Sequence, residues 1–177
     1  DLIAQLRAQQ WAGALIVSKV VEANAEKGVK FRDYFDYSEQ IRKIPPHRAL
    51  ALFRGRTEDV VRISLKLPEE VEASWSLELG AQEGCIATHF GWANQVRPGD
   101  EFIANVVSLT WRGKLSMSIE TQLFSELRAT AEAEAIRVFA RNLRDLLLAA
   151  PAGTKHTMGL DPGIRTGVKV AVVDGTG

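Results

Sequence analysis

Ser118–Ala149 reads SIETQLFSELRATAEAEAIRVFARNLRDLLLA, and this stretch decides how the rest of the chain is organised. Large apolar residues fall at Ile119, Leu123 and Leu127, then at Ile136, Phe139, Leu143, Leu146 and Leu147. Steps of three and four place them along one stripe of an α-helix, where a strand would need alternation. Ser118 suits an N-cap, Glu120 sits in the first turn, and Arg137, Arg141 and Arg144 lie towards the C-terminal end. No Gly or Pro intervenes before Pro151. The spacing therefore predicts one rod of about 30 residues and about 45 Å. Its middle, Thr130–Ala135, gives the stripe only small side chains, so a neighbour can approach closely there.

After the break at Pro151-Ala152-Gly153 the chain runs TMGLDPGIRTGVKVAVVD (Thr157–Asp174). A short apolar strand, a Gly-containing turn and a second strand over Val168–Val173 predict a β-hairpin. A strand ending in Leu160-Asp161-Pro162-Gly163, then Arg165-Thr166-Gly167 and another apolar strand, resembles the opening of the ribonuclease H-like fold. It is closest to the YqgF and Holliday-junction-resolvase branch. Taken with the helix end AIRVFARNLRDLLLAAP (Ala135–Pro151), the chain resembles the Tex family of bacterial transcription accessory proteins. KFRDYFDYSE (Lys30–Glu39) and HRALALFRGR (His47–Arg56) are similar to segments of the same family, and the blocks span most of the chain in family order.

At 177 residues the chain can hold one large or two small domains with a true core. It starts at Asp1 without an initiating Met and stops one hairpin into a fold that needs more strands, so it reads as an internal piece. No apolar run is long enough to span a bilayer and no signal-peptide pattern opens the chain, which suits a cytoplasmic protein with no membrane partner. The lone Cys85 excludes an internal disulfide. Net charge is zero but unevenly spread. Lys27–Arg56 holds eight bases and three acids, net +5, whereas Glu69–Glu101 holds seven acids and one base, net −6. That partition fits either a polyanion-binding face opposite an acidic one or two solvated surfaces that attract each other.

Leu2, Ile3 and Leu6 place Asp1–Gln10 in a helix, expected to begin upstream. Ala14–Val21 favours a strand by its β-branched content, with a helix as the alternative. Lys30–Glu39 spaces its aromatics as one or two helical turns burying Phe31, Tyr34 and Phe35. Base stacking by an exposed Tyr is the functional alternative, and burial is favoured. Past Pro45-Pro46, His47–Arg54 predicts a short helix with Leu50 and Phe53 inward, stopped at Gly55. The pair makes a helix-turn-helix-like arrangement. Val61–Leu67 and Val71–Leu79 both alternate, predicting a second hairpin whose solvent face sets Arg62 and Lys66 near glutamates. Gln82–Asn94 predicts a helix with Ile86, Phe90 and Ala93 inward. Pro98-Gly99-Asp100 opens another, with Phe102, Val106 and Leu109 inward and Gly113 near its end.

The expected fold class is mostly α with a small antiparallel β patch (α+β). The ranges are a helical domain over 1–115, a long connecting helix over 116–150, and the truncated first strands of a YqgF/ribonuclease H-like domain over 151–177. Asp161 is the one catalytic candidate: the resemblance implies that an Asp on the first strand helps hold two divalent metals that cut phosphodiesters. Mg²⁺ needs several converging oxygens, and Asp174, at the far end of the second strand, suits a turn instead. Arg165 either touches a phosphate or is solvated. The fragment is therefore expected not to be an enzyme and to need no cofactor, with Mg²⁺ relevant only if a complete YqgF-type domain is active. Cys85 and His89 have metal-ligand spacing but no completing ligands, so a buried Cys and a partly buried His are favoured and no metal site is expected. His47 and His156 are expected to be exposed.

The resemblance implies a nucleic-acid-binding transcription accessory protein whose partners are RNA or DNA and the transcription machinery, with no small-molecule substrate. This portion would be a helical scaffold and a secondary nucleic-acid surface built on Lys30, Arg32, Arg42, Lys43, Arg48, Arg54 and Arg56. The alternatives are a metal-dependent nuclease centred on Asp161 and a protein-docking scaffold using the acidic Glu69–Glu101 region or the rod.

Overall fold

The structure, a computed structural model, describes residues 1–72, 79–151, 153–163 and 167–177. It is mostly α with small antiparallel sheets, and it divides into two compact units, Asp1–Arg137 and Val138–Gly177.

In the first unit, helix α1 (Leu2–Gly13) has its first turn capped by Asp1, whose carboxylate accepts from the Ile3 amide at 3.1 Å. It leads into strand β1 (Leu15–Val20), as the β-branched run predicts. β1 is the centre of a three-stranded antiparallel sheet, flanked by β2 (Asp36–Gln40) and β3 (Val61–Lys66). Ser18 lies opposite Tyr37 and Ile63, and Lys19 opposite Asp36 and Arg62. Alternation gives the sheet two faces. Ile16, Ser18, Val61 and Ile63 are buried on one, while Lys19, Ser38, Arg62, Ser64 and Lys66 fall on the other.

Several sequence expectations are corrected here. The alternation after Pro68 does not continue as a hairpin strand, because Pro68–Glu72 is helix α3. Pro68 takes the first helical position and Glu70 Oε2 accepts from the Leu67 amide at 2.8 Å, a local cap that overrides the alternating pattern. Residues 73–78, the rest of that expected strand, lie outside the described residues, and β3 pairs with β1. Lys30–Glu39 is helical only in its first part, where the one or two turns expected from the aromatic spacing are present. A 3-10 helix (Val29–Tyr34) gives way to β2, because pairing with β1 satisfies the backbone of Asp36–Gln40. Phe31 is buried, whereas Tyr34 and Phe35 are half-buried. The first member of the expected helix-turn-helix-like pair is thus a short 3-10 helix rather than an α-helix. The second is α2 (Pro46–Thr57), with Leu52 and Phe53 buried and Leu50 half-buried. α2 runs past Gly55, where a Cβ would meet Val61 Cγ2 at 2.9 Å: the glycine serves close packing on β3, not helix termination.

Helices α4 (Ala81–His89) and α5 (Asp100–Thr110) follow. α4 ends at His89 and Gly91 turns the chain with φ +67°, so Phe90 and Ala93 are exposed rather than inward. α5 is rotated relative to expectation. Asp100 and Val107 are its buried residues, and Phe102, Val106 and Leu109 face solvent. The cause is Asp100, whose bonds to the preceding loop fix which face turns inward. Gly113 does not end the segment. A five-residue π-helical turn (Trp111–Leu115), with Trp111 buried, carries the chain into α6 (Ser116–Leu147), which leaves Ser118 inside α6 rather than capping it.

α6 buries Ile119, Leu123, Phe124, Leu127 and Ala131 against a core that includes Leu6, Ile16, Leu52 and Ile86. Phe124 meets Phe53 edge to face at 5.8 Å. The small-residue middle of the helix does allow close packing at Ala131, but the stripe beyond it is exposed, starting with Ile136. In the second unit, Phe139, Leu143, Leu146 and Leu147 are likewise exposed. There β4 (Thr157–Pro162) and β5 (Val168–Val173) form the expected antiparallel hairpin, with Leu160 opposite Val170 and Asp161 opposite Lys169. The Gly163 amide donates to Gly167 O at 2.7 Å, and Gly167 takes φ +83°. Arg165 lies outside the described residues.

Candidate nucleic-acid interface

The basic residues of the first unit separate into neutralised and available sets. Lys30 Nζ and Arg54 Nε both reach Glu58, at 2.5 and 2.9 Å. Those two cations, Lys30 first, hold the Glu58 carboxyl below its usual range. Arg48 Nη1 lies 3.3 Å from Glu39 Oε2, the same oxygen that accepts from Tyr37 Oη. Burial, then the Glu39 acceptor, pushes the Tyr37 phenol up to about 12. Tyr34 and Tyr37 meet edge to face at 5.3 Å and are half-buried, which favours the packing reading of these aromatics over base stacking. Arg56 sits 5.8 Å over the Phe124 ring. Arg32, Arg42 and Lys43 are exposed and, among the described residues, form no ion pair.

A second group of cations lies on the strands, where sequence reasoning gave Arg62 and Lys66 glutamate neighbours and no binding role. Arg62 and Lys66 do stand on the solvent face of β3, as the alternation implies, yet among the described residues neither pairs with a glutamate. Lys19, opposite Arg62, meets Asp36 at 2.5 Å. The usable signal was the even spacing of Arg62 and Lys66 along β3.

In the acidic stretch Glu83 and Asp100 are internal, whereas Glu69, Glu70 and Glu101 are exposed. Glu83 is buried and accepts from Ser108 Oγ, Arg112 Nε and the Gly80 amide, tying α4 to α5 and the π-helical turn. Asp100 accepts from the Arg97 guanidinium, the Arg97 and Gln95 amides and Trp92 Nε1. These bonds, led by the Arg97 side chain, hold its carboxyl well below the usual range.

Asp161 is on exposed β4, its Oδ2 3.4 Å from Lys169 Nζ. Asp174 accepts from the Thr176 amide and hydroxyl, a turn role that matches expectation. Among the described residues no group of three or more His, Cys, Asp or Glu converges. The residues present here therefore do not compose the oxygen shell that a divalent metal needs. Cys85 is half-buried and its α4 neighbour His89 is exposed against Phe90, not partly buried as expected; His47 and His156 are exposed. Among the described residues no helix is long and apolar enough to cross a membrane.

The fold and the site define a mostly helical body that carries exposed basic residues, and among the described residues no cluster of His, Cys, Asp or Glu is placed to hold a metal ion. Residues 1–139 match the family model described as Tex central region-like, and the chain belongs to that family. It is 50% identical to Protein YhgF of Escherichia coli over 99% of this chain and 22% of that protein. It is 47% identical to Transcriptional accessory protein Tex of Neisseria gonorrhoeae over 100% of this chain and 23% of that protein. S1 RNA-binding domain-containing protein 1 of Homo sapiens is 29% identical over 85% of this chain and 15% of its own length. The chain thus spans less than a quarter of the curated relatives it matches.

Proposed function

We propose that the protein acts in transcription through contact with RNA or DNA, and that this chain is its helical scaffold and a secondary nucleic-acid surface. The observation that carries the reading is the family match over residues 1–139, together with a relative named for transcription and another named for an RNA-binding domain. Arg32, Arg42 and Lys43 support it as exposed cations without an acidic partner among the described residues. No catalytic role is assigned to Asp161, a single carboxylate facing a lysine.

Contact through such cations releases counterions, so affinity falls with salt by about 0.7 log unit per log unit of salt for each phosphate neutralised on a single strand. Mobility shifts with single-stranded RNA and duplex DNA at two ionic strengths test this. A complex at low salt that weakens steeply at high salt is expected. No complex at low salt, or one indifferent to salt, overturns the reading.

A further inference from the structure

We propose that the open face of the three-stranded sheet, centred on Arg62, Ser64 and Lys66, is the surface that holds a nucleic-acid backbone. The inference rests on the reading of the protein as nucleic-acid-binding and names where the contact is made. These three residues alternate along β3 on the side away from the core. Successive members are about 7 Å apart along the strand, which leaves about 13 Å between the Cα atoms of Arg62 and Lys66. In the register, Ser64 and Ser38 both flank Val17, and Lys66 shares a row with Leu15 and Gln40. Arg42 and Lys43 follow two and three residues after Gln40, which extends the positive charge beyond β2.

Among the described residues the acids near this face include Asp36, Glu69, Glu70 and Glu120, the last accepting from the Leu65 amide at the edge of β3. Asp36 is taken by Lys19 at 2.5 Å, and Glu70 is turned to the Leu67 amide. Glu69, on α3 just after Lys66, bounds the face at that end. The face has the groups that bind phosphate and sugar oxygens, namely Arg, Lys and Ser side chains. It lacks the exposed apolar centre of a protein interface, since Val17 is 8% exposed and Leu15 half-buried. The helix-borne set is a weaker alternative, because Lys30, Arg48 and Arg54 already sit in ion pairs.

The test is fluorescence anisotropy of the protein with a labelled oligouridylate across a salt series. Arg62→Gln with Lys66→Gln is expected to weaken binding about tenfold at low salt and to flatten the salt slope by about 1.4, two contacts at about 0.7 each. Circular dichroism checks that the fold is kept, and Lys30→Gln with Arg54→Gln serves as the control, expected to change the slope little. A double sheet variant that matches the parent in both affinity and slope overturns the proposal while leaving nucleic-acid binding intact. A parent protein that fails to bind at low salt overturns the underlying reading instead. Preferential displacement by polyglutamate would assign the face to an acidic protein segment and also overturn the proposal.

Discussion

Glu83 and Arg112 join elements 29 residues apart, with Arg112 Nε 3.0 Å from Glu83 Oε1. The two ends are unequal: the Glu83 side chain is 3% exposed and that of Arg112 57%. Removing Arg112 takes one of three donors from a buried carboxylate, a cost of about 1–3 kcal/mol. Removing Glu83 leaves the Gly80 amide and Ser108 hydroxyl to find other acceptors while the guanidinium returns to water. Arg112→Ala is therefore expected to destabilise measurably, and Glu83→Ala and the double variant to be strongly non-additive with it. A double-mutant cycle by urea unfolding checks this; additive losses would show that the two side chains act independently.

Gly28 is required for space rather than for backbone freedom. It is buried, and a Cβ there would stand 2.1 Å from Val60 Cγ1. Gly28→Ala is expected to destabilise by about 1–3 kcal/mol through overpacking. Each kcal/mol corresponds to about 2–4 °C of Tm in a chain of this size. Combining it with Val60→Ala should return part of the loss. If the pair instead loses the full sum of the two single changes, the proposed clash is not the cause.

The elements legible in the sequence were those coded by local pattern. The steps of four from Ile119 through Leu123 to Leu127 gave the α6 core face, and the branched residues of Leu15–Val20 gave β1. β2 was not legible, because Asp36–Gln40 is polar and becomes a strand through pairing with β1, distant in sequence. α3 was hidden because the alternation at Val61–Leu67 runs on in the sequence past Pro68, where Pro68 and Glu70 set a helix start. The site suffered the same way. A tally of bases over Lys27–Arg56 cannot show that Glu58 closes onto Lys30 and Arg54, or Glu39 onto Arg48. The sheet cations were visible as alternation, but their shared face needed the register of β1 with β3.

Asp100 and Glu120 give opposite pH dependences. The Arg97 guanidinium, its amide and the other donors depress the Asp100 carboxyl in the folded state. Its contribution is complete above the unfolded value of about 3.9 and is lost as pH falls through the lower folded value. Burial pushes Glu120 up, opposed by the Leu65 amide that donates to its Oε2 at 2.8 Å and by Arg56. The folded state then binds the Glu120 proton more tightly, so stability falls as pH rises from the unfolded value of about 4.3 through the higher folded one. Thermal unfolding from about pH 3 to about pH 8 separates the two. Asp100→Asn should flatten the acid limb. Glu120→Gln should raise Tm near neutrality, with the gain shrinking in acid. A gain for Glu120→Gln that is the same at both ends would exclude a desolvated carboxylate as its source.

The two halves of α6 offer a comparison in which residue type is held constant. Leu123 is 1% exposed and Leu127 7%, whereas Leu147 is 75% exposed. Leu-to-Ala changes at the first two sites remove buried methyl groups and leave cavities, at about 2–5 kcal/mol each. The same change at Leu147 removes little buried area and should stay within about 0.5 kcal/mol. Helix propensity differs little between Leu and Ala, so it does not account for a gap of that size. Urea unfolding of the three variants reads the gap directly. Equal losses at all three would mean that the apolar stripe is packed along its whole length and that the burial ending at Ala131 does not describe the folded protein.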